Sequence, residues 1–329
     1  MKRTIFTCIS FFLVSLITFS QIATESTWDN SDLKGRIRTI TETNYIIDNG
    51  RKSTFSNKDI IIQDEVIKNF DRSGILMDQS LISYVGGKSK KWNFTYNIQR
   101  QLVEESIYDN SGSLDEIISY FYNGNKLVRK SFFLGPNKML QKSWFYEYNV
   151  SGKLINEYWT DAQGKTAWRA VNVYDQAGNL VEKSWYVNEQ LTTKWVCKYN
   201  VRGNIIENSE FVNGLLQSSE FNSYNDKGQL TESKVFKNSQ LDIRKVYEYN
   251  KKEDLRMEWW YDTSGKQIHR RNYDYDKMRR MISTFTWDSD SRLLDKIHWA
   301  FDNEGNWVQR IEYERHVPVF TVKRSISYY

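Results

Sequence analysis

The residue types able to do chemistry are thinly spread along this 329-residue chain. Its three histidines, His269, His298 and His316, fall in separate segments, and no metal-ligand spacing links them. No nucleophile elbow, phosphate-binding glycine loop or zinc-hydrolase motif occurs, so neither a cofactor nor a metal is expected. Carboxylates are plentiful, but the aspartates sit mostly at turn positions and the glutamates mostly alternate with lysine. Acid pairs for glycoside hydrolysis are set by space and not by sequence, so that route stays open at this level. One row stands out. Trp159, Trp185 and Trp260 each lie eleven residues after a tyrosine (Tyr148, Tyr174 and Tyr249), Leu81, Ile107 and Phe133 continue the row, and Glu210 and Glu312 interrupt it. Simple alternation puts this row on the face opposite those tyrosines and the leucines that follow them. It is then either covered by curling of the sheet or a candidate stacking surface for a glycan or a protein partner.

The element that positions these residues is a heptad, Tyr174-Asp175-Gln176-Ala177-Gly178-Asn179-Leu180. Related heptads begin at Phe70, Tyr96, Tyr122, Tyr148, Tyr199, Tyr224, Tyr249, Tyr275 and Phe301, a period of 25 or 26 residues. Asp175 and Gly178 occupy the first and fourth places of a type I turn, where a short carboxylate accepts a backbone N–H and glycine tolerates positive φ. Asp71/Gly74, Asp109/Gly112, Asn149/Gly152, Asn200/Gly203, Asn225/Gly228, Asp262/Gly265 and Asp302/Gly305 repeat the spacing. Between heptads lies a shorter turn, as in Val212-Asn213-Gly214-Leu215, and Asn-Gly between apolar runs is a strong hairpin signal.

Each period thus holds two strands. Trp144, Tyr146 and Tyr148, or Trp195, Cys197 and Tyr199, form one face, while Lys194 and Lys198 or Arg244 and Glu248 form the other. Period-two alternation describes a sheet with one shielded face. No stretch keeps a helical period, and only Pro136 and Pro318 interrupt the chain. The expected fold is all-β: a meander of about twenty antiparallel strands in two-strand repeats. So many strands cannot stay flat, so the sheet is expected to curl or spiral with its aromatic face inward.

The heptad at 174–180, with copies such as Tyr108-Asp109-Asn110-Ser111-Gly112-Ser113-Leu114, resembles the signature of YD-repeat (RHS-like) proteins over roughly residues 64–329. The resemblance implies a curled strand meander. In that family the meander encloses a C-terminal toxin, but this chain departs from it in being short and in carrying no toxin-like or self-cleaving segment. The short turns, such as Phe211 to Leu215, are also similar to MORN-type repeats, whose role is binding or scaffolding.

Lys2 and Arg3 followed by an apolar run from Ile5 to Ile17 read as a signal peptide, residues 1–20, cleaved between Ser20 and Gln21. Residues 21–63 read as N-terminal capping strands and 64–329 as one continuous repeat domain. Cys8 does not sit at the end of the apolar run, so lipid anchoring is not expected. Loss of two cations and no acids takes the formal net charge from +5 to +3, with no basic block, which removes the electrostatic case for nucleic acid. Cys197 is then the sole cysteine, so an exported chain without disulfides fits a bacterial periplasm or cell surface. An outer-membrane barrel is not expected, because strands of about eight residues fall short of the nine to eleven needed and charges occur on both faces. The functional expectation is a non-catalytic interaction or scaffold module of the envelope with an unknown protein or glycan partner and no transmembrane segment in the mature chain. The alternative is a carbohydrate-binding surface protein using Trp159, Trp185 and Trp260.

Overall fold

The structure, a computed structural model, describes residues 33–47 and 60–329. The expected signal peptide and residues 21–32 and 48–59 of the expected capping segment 21–63 lie outside these residues. The described chain forms 22 strands, β1–β22 in chain order, and no helix. Each strand pairs antiparallel with its neighbours in sequence, so the meander is confirmed with two strands more than about twenty.

The heptad builds its turn as its chemistry requires. In the copy at Asp175, the Gly178 N–H donates to the Asp175 carbonyl at 3.0 Å, and the Asn179 N–H donates to the Asp175 carboxylate at 2.8 Å. Gly178 sits at φ 85°, a left-handed conformation that glycine enters without steric cost. Three of the shorter turns, at Asn188-Glu189, Asn213-Gly214 and Asn238-Ser239, have both central residues at positive φ, the last at 47° and 64°, the type I′ geometry that matches strand twist.

The sheet does not end in open edges. β1 (Ile37–Ile47) pairs on one side with β2 (Ile60–Phe70) and on the other with β22 (Val317–Tyr328), for example through Ile40↔Ile326. The expected curl or spiral is therefore corrected to a closed 22-strand barrel. Closure satisfies both rows of edge N–H and C=O groups that an open spiral would leave bare. A side-chain clasp reinforces the seam. Asn306, 3 % exposed, accepts the Lys34 N–H and donates to the Lys34 carbonyl, both at 2.7 Å, and also donates to the Tyr328 hydroxyl at 2.8 Å.

The two faces differ in what they bury. Glu157, Tyr120 and Glu258 are 2 %, 4 % and 6 % exposed on one face, whereas residues buried on the other are mainly serines such as Ser143 and Ser184. Closure crowds the concave side, so the face with large buried side chains is the inner wall. A ring of 22 strands is far wider than the eight-strand barrels whose interiors side chains just fill, so this wall borders a lumen. The aliphatic core lies along it from the seam to β7 (Lys126–Leu134): Ile40, Phe70 and Leu76 form one cluster, and Leu102, Ile107 and Ile118 another. Beyond β7 the inner wall turns aromatic and charged.

Candidate functional site on the inner wall

The heptad tyrosines lace the wall together at one end of the barrel. Tyr148 donates its hydroxyl to the Leu127 carbonyl at 2.9 Å, Tyr174 to Leu154 at 2.8 Å, Tyr199 to Leu180 at 2.7 Å and Tyr249 to Leu230 at 3.0 Å. Each bond ties the end of one strand to the start of the strand before it, across the open mouth of a hairpin. Burial raises these phenols above their ordinary range, and Tyr199 is pushed up to about 12 by burial first and then by Cys197 and Asp175.

The tryptophan row lies on the same face as these tyrosines, which corrects the expectation that it lies opposite. Tyr174 pairs with Leu180, but the preceding Val173 pairs with Glu182, so Val181 is an extra residue. Ile155 and Arg256 are extra in the same way. A bulge of this kind reverses the alternation, and every residue beyond it changes face. The row also continues through Phe132 and not Phe133. Phe132 is the residue opposite Ile118 and Lys142 on the inner wall, because the turn before β7 is shorter than the others.

Each row member sits among aromatic or cationic neighbours and is half-buried. Trp159 on β9 (Leu154–Asp161) lies between Trp144 and Trp168 on the flanking strands, whose rings approach to 5.2 Å. Trp185 on β11 (Leu180–Val187) meets the Trp195 ring edge-on at 4.6 Å, with the Lys183 ammonium 5.3 Å from its ring. Trp260 on β17 (Leu255–Tyr261) meets His269 edge-on at 5.6 Å and Lys245 at 4.7 Å, and its N–H donates to Glu258 at 2.5 Å. Trp159 and Trp185 therefore flank a single strand, while Trp260 stands six strands further round.

Beside the row runs a level of buried carboxylates that sequence reasoning missed. Glu157 forms a 2.9 Å ion pair with Lys183 from two strands away. The pair closes over β10 (Thr166–Tyr174), where Ala170 stands opposite Glu157, is 0 % exposed and offers no side chain beyond its Cβ. Glu258 accepts the Tyr273 hydroxyl at 2.9 Å and has Lys245 at 3.9 Å. At the same level Glu105, half-buried, accepts the Tyr120 hydroxyl, and Lys130 lies on the strand beyond, opposite Tyr120. Burial, then the neighbouring carboxylate, raises the phenols of Tyr120, Tyr146, Tyr247 and Tyr273 far above the ordinary tyrosine range. Burial lowers the Lys130 ammonium. The available signal was a second period: tyrosine two places before the heptad at 120, 146, 247 and 273, and glutamate three places after its leucine at 105, 157 and 258.

The histidines do not converge. His269 is on the inner wall, His298 lies within 2.9 Å of the Ser283 hydroxyl on the outer wall, and His316 is exposed in a turn. Among the described residues no cluster of three potential metal ligands occurs. Cys197 is buried, and burial raises its thiol.

The outer wall is built differently. Arg129 lies 3.8 Å over the Phe121 ring, Phe145 stacks on Tyr158 at 5.0 Å, and Arg169 lies 4.5 Å over Tyr186. Arg129, Phe145, Tyr158 and Arg169 are successive cross-strand partners, so these contacts join into one ladder. Cations over ring faces strengthen such pairs. Lys198 with Glu207 and Arg256 with Glu248 add ion pairs. Charges at mid-strand would each cost about 2–4 kcal/mol against lipid for Arg or Lys, so this wall suits water. No helix among the described residues is long and apolar enough to cross a membrane.

Fold and wall together define a closed antiparallel β-barrel of hairpin repeats, with aromatic and ion-paired side chains turned inward. No family model matches the chain, and no curated protein matches it. Among solved structures, it is similar to a TcdB2-TccC3-TEV chain at 11 % identity and a TM-score of 0.40, covering 86 % of this chain and 19 % of that one. A Photorhabdus luminescens Tc holotoxin pore matches at 10 % identity and 0.38, over 80 % of this chain and 19 % of that one. A porin-like protein from Bacteroides uniformis matches at 10 % identity and 0.34, over 89 % and 99 %. The chain spans about a fifth of the length of the toxin chains it matches.

Proposed function

We propose that the protein is a non-catalytic, exported interaction module of the bacterial envelope that takes its ligand on the inner wall of the barrel. The observation that carries this reading is the concentration of half-buried indoles beside buried, already paired carboxylates on the wall facing the lumen. Glu157 is committed to Lys183, and Glu258 to Tyr273, Trp260 and Lys245. Groups committed in this way hold the wall and its indoles in place rather than transfer protons. Flat, half-buried indole faces at Trp159 and Trp185, held in place by the paired groups beside them, fit a saccharide chain whose C–H faces the rings cover.

Native affinity electrophoresis of the full chain through gels cast with neutral or acidic polysaccharides tests this. At least one polysaccharide retards the protein, Trp159→Ala with Trp185→Ala abolishes the retardation, and the outer-wall variant Phe221→Ala retains it. Unaltered retardation in an inner-wall variant with wild-type circular dichroism refutes the assignment to this wall. Capture of one stoichiometric protein by wild type and variant alike replaces the glycan with a protein held elsewhere.

A further inference from the structure

The last repeat departs from the pattern of the others at neighbouring positions. Phe301, like Phe70 in the first heptad, replaces the heptad tyrosine, Trp307 replaces the leucine-type anchor, and Trp299 occupies the place held by Tyr120, Tyr146, Tyr247 and Tyr273. Phe301 has no hydroxyl to lace to a carbonyl, and Trp307 stands directly opposite it across β20 (Leu293–Phe301) and β21 (Trp307–Glu314). Beside these rings, at the heptad-turn end of the seam, is a cavity of about 810 Å³. That is within the roughly 300–1,000 Å³ of ordinary ligand sites.

Its lining holds the side chains of Lys34, Arg280 and Arg324 and no carboxylate. Arg324 is held by Glu42 at 2.8 Å and lies 3.4 Å over the Trp307 ring. Arg280 is held by Asp276 at 2.6 Å and lies 4.6 Å over Phe301. Two guanidiniums are thus fixed against aromatic faces by acids outside the cavity lining. Lys34 has no carboxylate partner among the described residues. The cavity therefore combines three cations with three aromatic walls.

We propose that this cavity binds an acidic sugar residue, a pyranose ring bearing a carboxylate or a sulfate. Resting on the reading of the inner wall as a ligand surface, this adds the charge class of the ligand and the place where its charged group is held. The ring lies against Trp299 or Trp307, and the anion meets Lys34 and the fixed guanidiniums, which suit planar oxyanions. Fluorescence titration of the full chain with an oligouronate, a sulfated disaccharide and a neutral oligosaccharide of matched length tests it, the first two separating carboxylate from sulfate as the anion. Lys34→Glu reverses an exposed charge, and Trp307→Leu restores the anchor residue of the other repeats, so both variants keep the fold.

The expected result is saturable binding of an acidic probe, weakened at least tenfold by each variant and by raising salt, with no competition from the neutral probe. Acidic binding unchanged in both variants overturns the proposal. So does binding of the neutral probe alone, lost on Trp159→Ala and Trp185→Ala, which leaves the inner-wall reading standing. No binding of any probe sinks both.

Discussion

Replacing Lys183 by methionine tests whether the inner-wall charges are structural cells closed off from water. Lys183 is 15 % exposed and its partner Glu157 only 2 %, with 2.9 Å between them. An exposed pair of this kind contributes about 0–1 kcal/mol, whereas removing one member of a buried pair costs about 3–5 kcal/mol, because a carboxylate is left without a partner. Lys183→Met is therefore expected to lose about 3 kcal/mol or more. Adding Glu157→Gln, which removes the orphaned charge at constant shape, should recover most of that. Backbone amide exchange in β9, β10 and β11 reads the effect locally. A loss of about 3 kcal/mol accelerates exchange of those amides by roughly a hundredfold, since about 1.4 kcal/mol is a factor of ten. Amides of β20 and β21, on distant wall, should be unchanged. A single-variant loss under about 1 kcal/mol, or a double variant no better than the single, would falsify the closed-cell reading and put water at that level of the wall.

The clasp at Asn306 should be local too: Asn306→Leu removes three hydrogen bonds, costs about 2–3 kcal/mol, and speeds exchange in β1 and β22 but not in β12 (Gln190–Tyr199). Ser239→Gly, at a site with φ 64°, should raise the urea midpoint by an amount equivalent to about 0.5–1 kcal/mol, because a serine is relieved of a left-handed conformation. The tyrosine lacing predicts alkaline unfolding. Tyr199 and Tyr328 are both pushed up to about 12, burial being the first cause, so their contribution is complete below the unfolded value near 10 and is lost as pH rises through about 12. Circular dichroism against pH should show loss of structure in that window, and Tyr148→Phe should lower stability at neutral pH by about 1 kcal/mol through its bond to Leu127.

What could be read from the chain and what could not divide along the range of the forces involved. The Asp175 and Gly178 spacing announces its turn because donor and acceptor lie within five residues, and the structure forms that turn. The face of the tryptophan row escapes simple alternation for an equally local reason. Val181 is an ordinary strand residue by type, and only its failure to find a partner opposite reveals the bulge. Closure carries no local signal, since Ile40 meets Ile326 across almost the whole chain. The Glu157–Lys183 cell was hidden in another way: its members belong to successive repeats and meet only because Ala170 on the strand between them is small.

The same logic separates scaffold from site. Where the repeats agree, in the tyrosine hydroxyl on a leucine carbonyl or the aspartate cap of a turn, the agreement is explained by pairing one hairpin to the next. Residues that break the pattern are not needed for that pairing, and Phe301 gives up the lacing bond that Tyr148, Tyr174 and Tyr199 each make. The departure lies at the seam, where β1 replaces a normal repeat neighbour, so part of it serves closure: Arg324 both pairs with Glu42 on β1 and covers Trp307. Closure alone would favour filling the space between these rings, since apolar contact there would stabilise the joint. An open volume with Lys34 at its edge is the opposite arrangement. Trp307→Leu therefore separates the two roles: a variant that keeps seam protection in β1 and β22 while losing the acidic probe places binding, and not closure, at the indole.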